Sequence, residues 1–106
     1  MTVRFSPETA DYLADLIEVL YLNDYFGFKE SAKKYVADLA TSIEVTIDKK
    51  ISKPAPPYFD RYGKNMSYSV FKKNKNTQWY VFFNYADDIY YIRYIGNNHT
   101  CAQYLL

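Results

Sequence analysis

The stretch WYVFFNYADDIYYIRYI, residues 79–95, decides the fold of this 106-residue chain. Its first half, Trp79 to Tyr85, is apolar at consecutive positions, which is typical of a central strand that is covered on both faces. Ala86-Asp87-Asp88 predicts a tight turn, and the apolar residues from Ile89 to Ile95 predict another strand. The stretch therefore predicts a β-hairpin that supplies the last two strands of a sheet.

One more strand and a proline-containing connection precede this hairpin. Met66, Tyr68 and Val70 alternate with three other residues in the segment MSYSVF, residues 66–71, which predicts a strand. The cluster KKNKN, residues 72–76, predicts the turn into the central strand. The segment SKPAPPYFDRYG, residues 52–63, predicts an extended connection, because three prolines remove backbone donors and fix φ.

The first half of the chain predicts a short strand and a helical hairpin. Val3 to Phe5 form an apolar–charged–apolar run, and Ser6-Pro7-Glu8 supplies a helix cap, a proline suited to the first turn and an acid. Helical spacing of apolar residues then runs from Pro7 to about Asp24 and from about Lys29 to Lys49, with a turn around Gly27. The apolar stripes are Leu13, Leu16, Ile17 and Leu20, and then Ala32, Tyr35, Val36, Leu39, Ile43 and Ile47.

The predicted order β-α-α-β-β-β indicates an α+β fold in a single domain, residues 1–106. We expect the helical hairpin to pack on one face of a small antiparallel sheet. Aromatic residues make up 20% of the chain, with 13 Tyr and 7 Phe. With helices on one face only, we expect the other face, which includes Tyr80 and Phe82, to expose aromatic surface to a partner.

Composition narrows the class of protein. The chain has one Cys and one His, which can form neither an internal disulfide nor a zinc site, so we expect no metal, no cofactor and a reducing compartment. No apolar run approaches the roughly 18–20 residues that a membrane span needs. The start MTVRFSPETA lacks the apolar core of a signal peptide. These features predict a cytoplasmic protein without a membrane partner.

Charge is distributed unevenly along the chain. Residues 1–48 contain nine acids and four bases, a net charge of −5, whereas residues 49–106 contain nine bases and three acids, a net charge of +6. This asymmetry favours an anionic partner for the second half. The alternative is a pair of solvated faces that differ in charge.

The pattern resembles the RelE/ParE superfamily, the toxins of bacterial type II toxin–antitoxin modules. The resemblance rests on VRFSPETADYLADLIEVL (residues 3–20), on the proline-containing link into FDRYGKNMSYSV (residues 59–70), and on WYVFFNYADDIYYIRYIGNNH (residues 79–99). It covers nearly the whole chain as a pattern of apolar positions. It implies the family fold, a cognate antitoxin as partner, and one of two activities. RelE-like members cut mRNA in the ribosomal A site without a metal, and ParE-like members inhibit DNA gyrase.

Metal-free RNA cleavage needs a base for the ribose 2′-hydroxyl, an acid for the leaving 5′-oxygen and cations near the phosphorane. His99 is the one side chain whose unperturbed pKa lies near neutrality, so it is the candidate acid or base. The resemblance also implies a tyrosine near the C-terminus, a position that Tyr104 matches in spacing. The cations expected around the phosphate are Arg61, Lys64 and Arg93, with Lys72 and Lys73 further along the RNA backbone.

Each candidate also has a structural interpretation. His99 would then belong to a turn at Gly96-Asn97-Asn98, since Gly and Asn tolerate left-handed backbone, and Tyr104 and Cys101 would be packing residues. The lysines would form a solvated turn.

The two arginines would in that case pair with antitoxin carboxylates.

Three hypotheses follow for the whole protein. They are a ribosome-dependent endoribonuclease that uses His99, a ParE-type or non-catalytic toxin that binds a protein such as gyrase, and a small interaction domain of the same fold.

Overall fold

A computed structural model of the chain describes residues 1–23 and 27–105. Its elements confirm an α+β fold in which two helices pack on one sheet. The strands are β1 (Thr2–Phe5), β2 (Lys53–Pro54), β3 (Ser67–Asn74), β4 (Thr77–Ala86) and β5 (Ile89–Asn97), and the helices are α1 (Pro7–Leu22) and α2 (Lys29–Thr46). Short 3₁₀ turns span Ile47–Lys49, Pro57–Arg61 and Ala102–Tyr104. The predicted helix end at Asp24 lies outside the described residues.

The sheet is mixed, so the prediction of an antiparallel sheet is wrong for one edge. The strand order is β1-β5-β4-β3-β2; β1 pairs with β5 in parallel, and the other neighbours are antiparallel. Strands β2 to β5 alternate in direction along the sheet. Strand β5 lies beside β1 and runs in the same direction. The additional strand β2 lies in the proline-containing connection, at the sheet edge where a proline is tolerated.

The helices form as the sequence predicts. The Ser6 hydroxyl oxygen accepts a hydrogen bond from the Thr9 backbone N–H at 3.1 Å, which caps α1. Leu13 and Leu16 are buried, and α2 buries Ala32, Val36, Leu39 and Ile43. Within the described residues, neither helix has the length and apolarity that crossing a membrane requires.

Strand β4 lies at the centre of the sheet and contributes to the packing on both faces. Trp79, Val81 and Phe83 pack under the helices, whereas Phe82 packs on the opposite face. The Trp79 indole N–H donates to the hydroxyl of Tyr35 in α2 at 3.0 Å. The continuous apolar run of β4 therefore reflects burial on both sides, as predicted.

The face opposite the helices is largely covered, so the expected aromatic surface is limited to partly exposed rings such as Tyr80, whereas Phe82 is fully buried. The proline-containing connection and the C-terminal 3₁₀ turn both fold across it. Phe59 and Phe82 are fully buried there, with ring centroids 4.3 Å apart, in a cluster with Met66 and Cys101. The aromatic excess thus builds a second apolar core, because the connection contributes its own rings to cover those of the sheet.

A bulge interrupts β5 at Arg93. Phe82 and Phe83 are consecutive in β4, but their partners in β5 are Tyr94 and Ile92, so Arg93 is the extra residue. Side chains alternate between faces along a strand, and an extra residue shifts that alternation. Tyr94 consequently packs in the second core while Ile92 packs under the helices.

Candidate nucleic-acid interface

Arg61 and Arg93 lie at one cleft. Arg61 ends the 3₁₀ turn of the connection, and Arg93 is the bulge residue of β5. The cleft has a volume of about 400 Å³, and its other lining residues are Ser6, Pro7, Glu8, Tyr62 and Tyr91. The start of α1, the connection and β5 therefore meet at this cleft, which we call the arginine cleft.

A backbone carbonyl orients each guanidinium group. The Nε–H of Arg61 donates to the carbonyl of Tyr58 at 3.0 Å, and the Nε–H of Arg93 donates to the carbonyl of Tyr62 at 3.2 Å. Within the part of the chain that the structure describes, no hydrogen bond joins a terminal NH₂ group of either arginine to another residue. Neither arginine takes part in an ion pair within the described residues, which are 1–23 and 27–105. Two oriented guanidinium groups fit the oxygens of a phosphate or a carboxylate.

Stacked tyrosines support these arginines. The Arg61 guanidinium carbon lies 3.9 Å from the ring centroid of Tyr58, and the Tyr58 ring stacks on Tyr104 at 3.7 Å with an interplanar angle of 1°. Tyr62 stacks on Tyr94 in the same way, at 3.9 Å and 7°. The side-chain hydrogen bond with Tyr58 raises the pKa of Tyr104, and burial raises the pKa of Tyr94. The rings thus supply flat neutral surface, on which a base or a cation can stack.

The structure places His99 away from the arginine cleft. His99 is exposed in the turn after β5, where Asn97 Oδ1 accepts hydrogen bonds from the backbone N–H groups of His99 (2.9 Å) and Thr100 (3.0 Å). A strand advances about 3.3 Å per residue, so the start of this turn at Asn97 lies roughly 13 Å along the strand from Arg93. The imidazole makes no hydrogen bond within the described part of the chain. The predicted acid or base and the predicted cations are therefore not assembled around one point.

Gly96 belongs to β5, and the prediction that it opens a left-handed turn is wrong. Its φ is not positive. A Cβ at Gly96 would lie 3.0 Å from the Cys101 sulfur and 3.3 Å from the Tyr94 ring. Glycine suits this position because the C-terminal segment folds back tightly against the strand, and a larger residue would push these neighbours by a few tenths of an ångström.

The predicted lysines do not join the cleft. Lys72 and Lys73 lie within β3, which continues to Asn74, so the prediction that they form the hairpin turn is wrong. Strand β3 extends because Lys72 pairs with Gln78 and Asn74 pairs with Thr77 of β4, with a register shift at Lys73 between them. Lys73 Nζ lies 4.9 Å from the ring centroid of Tyr35, beside α2, and Lys64 is exposed in the loop before β3.

Sequence reasoning missed four residues of this region. Tyr58, Tyr62 and Tyr91 had been counted as general aromatic content, and Glu8 as a residue of the helix start. The segment YFDRYG, residues 58–63, was a usable signal because it places a tyrosine on each side of Arg61, and exposed tyrosines beside an arginine are typical of a binding surface. The bulge that turns Arg93 toward this segment had no signal in the sequence.

Cys101 is confirmed as a buried residue and gives a direct test of the second core. Its side chain is 1% exposed, and burial raises the pKa of the thiol to about 11. We expect the folded protein at pH 8 to react with an aromatic disulfide reagent at least about 100-fold more slowly than the denatured protein, since little thiolate is present and it is shielded. Rapid reaction of the folded protein would contradict this packing.

The raised pKa of the Cys101 thiol also predicts that the stability of the protein depends on pH. The folded pKa is raised, so the unfolded thiol ionises first, and the free energy of unfolding falls as pH rises from about 9 toward about 11. Cys101→Ala should show a shallower fall over that range, because the variant loses the shift of the thiol and also the coulombic effect of Cys101 that raises the pKa of Tyr12, Tyr80 and Tyr94. Denaturant unfolding at successive pH values measures both slopes.

Comparison of the chain with protein-family models, with curated proteins and with solved structures finds no match. The resemblance to a toxin family therefore rests on the pattern of apolar positions and the order of the elements. The arginine cleft is described by its own geometry.

Proposed function

We propose that this chain is a RelE/ParE-like toxin of a type II toxin–antitoxin module that stops translation by binding mRNA on the ribosome at the arginine cleft. One observation carries the proposal: Arg61 and Arg93 are oriented by backbone carbonyls, share one cleft with tyrosine rings, and have no carboxylate partner within the described residues. Phosphates and unstacked bases are the ligands that such a cleft fits. Along the chain the helical hairpin follows β1 and precedes the other strands. This order supports the proposal that the chain is RelE/ParE-like.

The charge distribution supports a nucleic-acid ligand. Residues 49–106, which include strands β2 to β5, carry the net charge of +6, and most acids lie in residues 1–48 with the two helices. A cationic surface attracts the phosphate backbone at long range and gives binding that weakens with salt. In this proposal Lys64, Lys72 and Lys73 contribute to that attraction rather than to the cleft itself.

His99 is the proposed acid or base if the toxin cuts its mRNA. Its distance from Arg93 changes the expected role of the arginines. They would hold the RNA strand upstream or downstream of the cut, and they would not neutralise the phosphorane directly. Tyr104, stacked on Tyr58, would belong to the anchoring surface in this arrangement.

A second candidate function is favoured by that same distance. A ParE-type toxin needs no acid or base and acts by binding a protein such as DNA gyrase. The arginine cleft would then receive carboxylates of the target or of the cognate antitoxin. The two candidates differ in the target: the first binds mRNA on the ribosome and cuts it if His99 acts, whereas the second binds a protein and leaves cellular mRNA intact.

The test is induced expression of the wild type beside the double variant Arg61→Ala/Arg93→Ala. We expect the wild type to arrest growth and the double variant to lose that arrest, because both oriented cations are removed. Lys33→Ala/Lys34→Ala is the matched control, since it removes the same charge from the exposed face of α2, where both lysines form surface ion pairs. Arrest by the Arg61→Ala/Arg93→Ala variant at equal protein level would refute the proposed site.

His99→Ala separates the two candidates in the same experiment. If the wild type cuts mRNA and His99→Ala does not, the nuclease form of the proposal holds. If both arrest growth while total mRNA stays intact, the target is bound rather than cut, and His99 is a turn residue.

A further inference from the structure

We infer that the arginine cleft selects guanine in single-stranded RNA, with Glu8 as the residue that reads the base. This inference rests on the proposed function, since it assumes that RNA enters the cleft. It adds a specificity that the two arginines alone do not provide, because phosphate is common to all four nucleotides.

Glu8 is an acid on the wall of a cationic cleft. It lies in the first turn of α1 and lines the cleft together with Arg61 and Arg93. It forms no ion pair with either arginine within the described chain, where the ion pairs join other residues. The cleft therefore presents two cationic groups and one separate carboxylate.

This combination fits a ligand that carries both an anion and adjacent N–H donors. A carboxylate repels phosphate and accepts hydrogen bonds, so the natural division places the phosphate at the arginines and the base at Glu8.

Among the four bases, guanine matches a carboxylate best. Its Watson–Crick edge offers the N1–H and the exocyclic amino group side by side, which allows two parallel hydrogen bonds to one carboxylate. Cytosine and adenine offer one exocyclic amino group, and uracil offers one ring N–H. Single-stranded RNA is commonly read on this edge, with the base against aromatic rings.

The dimensions and walls of the cleft agree with one nucleotide. Its volume of about 400 Å³ lies within the usual range for small-ligand sites. Tyr62 and Tyr91 line it beside the arginines, and the Arg93 guanidinium carbon lies 5.5 Å from the ring centroid of Tyr91. A base that contacts Glu8 and the tyrosines would therefore share one cleft with the two guanidinium groups that we assign to its phosphate.

The experiment measures binding of four fluorescent RNA pentamers, UUGUU, UUAUU, UUCUU and UUUUU, by anisotropy at one fixed salt concentration. We expect the wild type to bind UUGUU about 10-fold more tightly than UUUUU, in line with a bidentate contact to one base. Glu8→Gln should reduce that preference to about 2-fold or less, and it should leave the affinity for UUUUU equal or higher because a negative charge is lost. Asp11→Asn, an exposed position further along α1 that does not line the cleft, is the matched control and should keep the preference.

The outcomes separate the two proposals. Equal binding of all four pentamers by the wild type would overturn guanine selection and leave the proposed RNA-binding site standing. A guanine preference that survives Glu8→Gln would overturn the role of Glu8. No binding of any pentamer by the wild type would overturn RNA binding at the cleft, and the guanine inference with it.

Discussion

Replacing Phe59 with alanine is expected to lower the free energy of unfolding by about 3–5 kcal/mol, the usual cost of deleting a buried aromatic ring. Phe59 has no exposed surface, and its ring lies 4.3 Å from that of Phe82, 5.0 Å from that of Tyr58 and 6.2 Å from that of Tyr94, measured between centroids. The connection that contains Phe59 also contains prolines, which limit how far its backbone can move to fill the cavity. The cavity cost should therefore add to the lost transfer free energy.

Urea unfolding followed by the fluorescence of Trp79, the single tryptophan, measures this change. Phe28→Ala is the matched control, since the same ring is removed from a position that is 76% exposed, and the expected change is below about 0.5 kcal/mol. Equal effects of the two substitutions would mean that the connection does not cover the sheet as described. Because Phe59 sits two residues before Arg61, its loss should also weaken the arginine cleft.

The helical layer could be predicted from the sequence because its signals are local. Ser6-Pro7-Glu8 marks a helix start by capping chemistry that acts within one turn, and the structure places the Ser6 hydroxyl at the Thr9 N–H. A repeat of apolar residues every three or four positions can be interpreted within one helix, without knowledge of the rest of the fold. The buried side chains of Leu13, Leu16 and Ile43 follow directly from that period.

The second core could not be predicted in the same way, because it depends on pairing between distant segments. Phe59 stands in a proline-containing segment without any periodicity, so nothing local distinguishes a buried phenylalanine from an exposed one. The parallel pairing of β1 with β5 joins the two ends of the chain. Glycine at position 96 was attributed to backbone freedom, whereas its φ is not positive and the structure shows a close approach of Cys101 instead.

The candidate site shows the same difference between features that the sequence predicts and features that depend on pairing between distant segments. Arg61 and Arg93 were selected as cations near a phosphate, and the structure brings them to one cleft. The bulge that places Arg93 there is a register shift between two strands, which the sequence of one strand does not encode alone. His99 was selected by its titration range rather than by position, and it lies at the end of the sheet.

Gly63→Ala is expected to weaken RNA binding by about 10-fold or more without any change in charge. A Cβ at Gly63 would lie 2.6 Å from Arg93 Nε and 2.9 Å from Arg93 Cδ, both well inside contact distance. The Arg93 side chain must then move away and lose its hydrogen bond to the Tyr62 carbonyl, so its guanidinium loses the orientation that the proposed site needs. The displaced group is exposed, and we expect stability to fall by only about 1 kcal/mol.

The control is Gly27→Ala, because a Cβ there would meet no described atom within 4 Å. The decisive measurement is a double-mutant cycle with Arg93→Ala, read as affinity for a short single-stranded RNA. If Gly63 acts through the position of Arg93, then Gly63→Ala costs affinity in the wild type and almost nothing in Arg93→Ala. If the two losses add, Gly63 affects the site by another route, and the close approach of these residues does not define the arginine cleft.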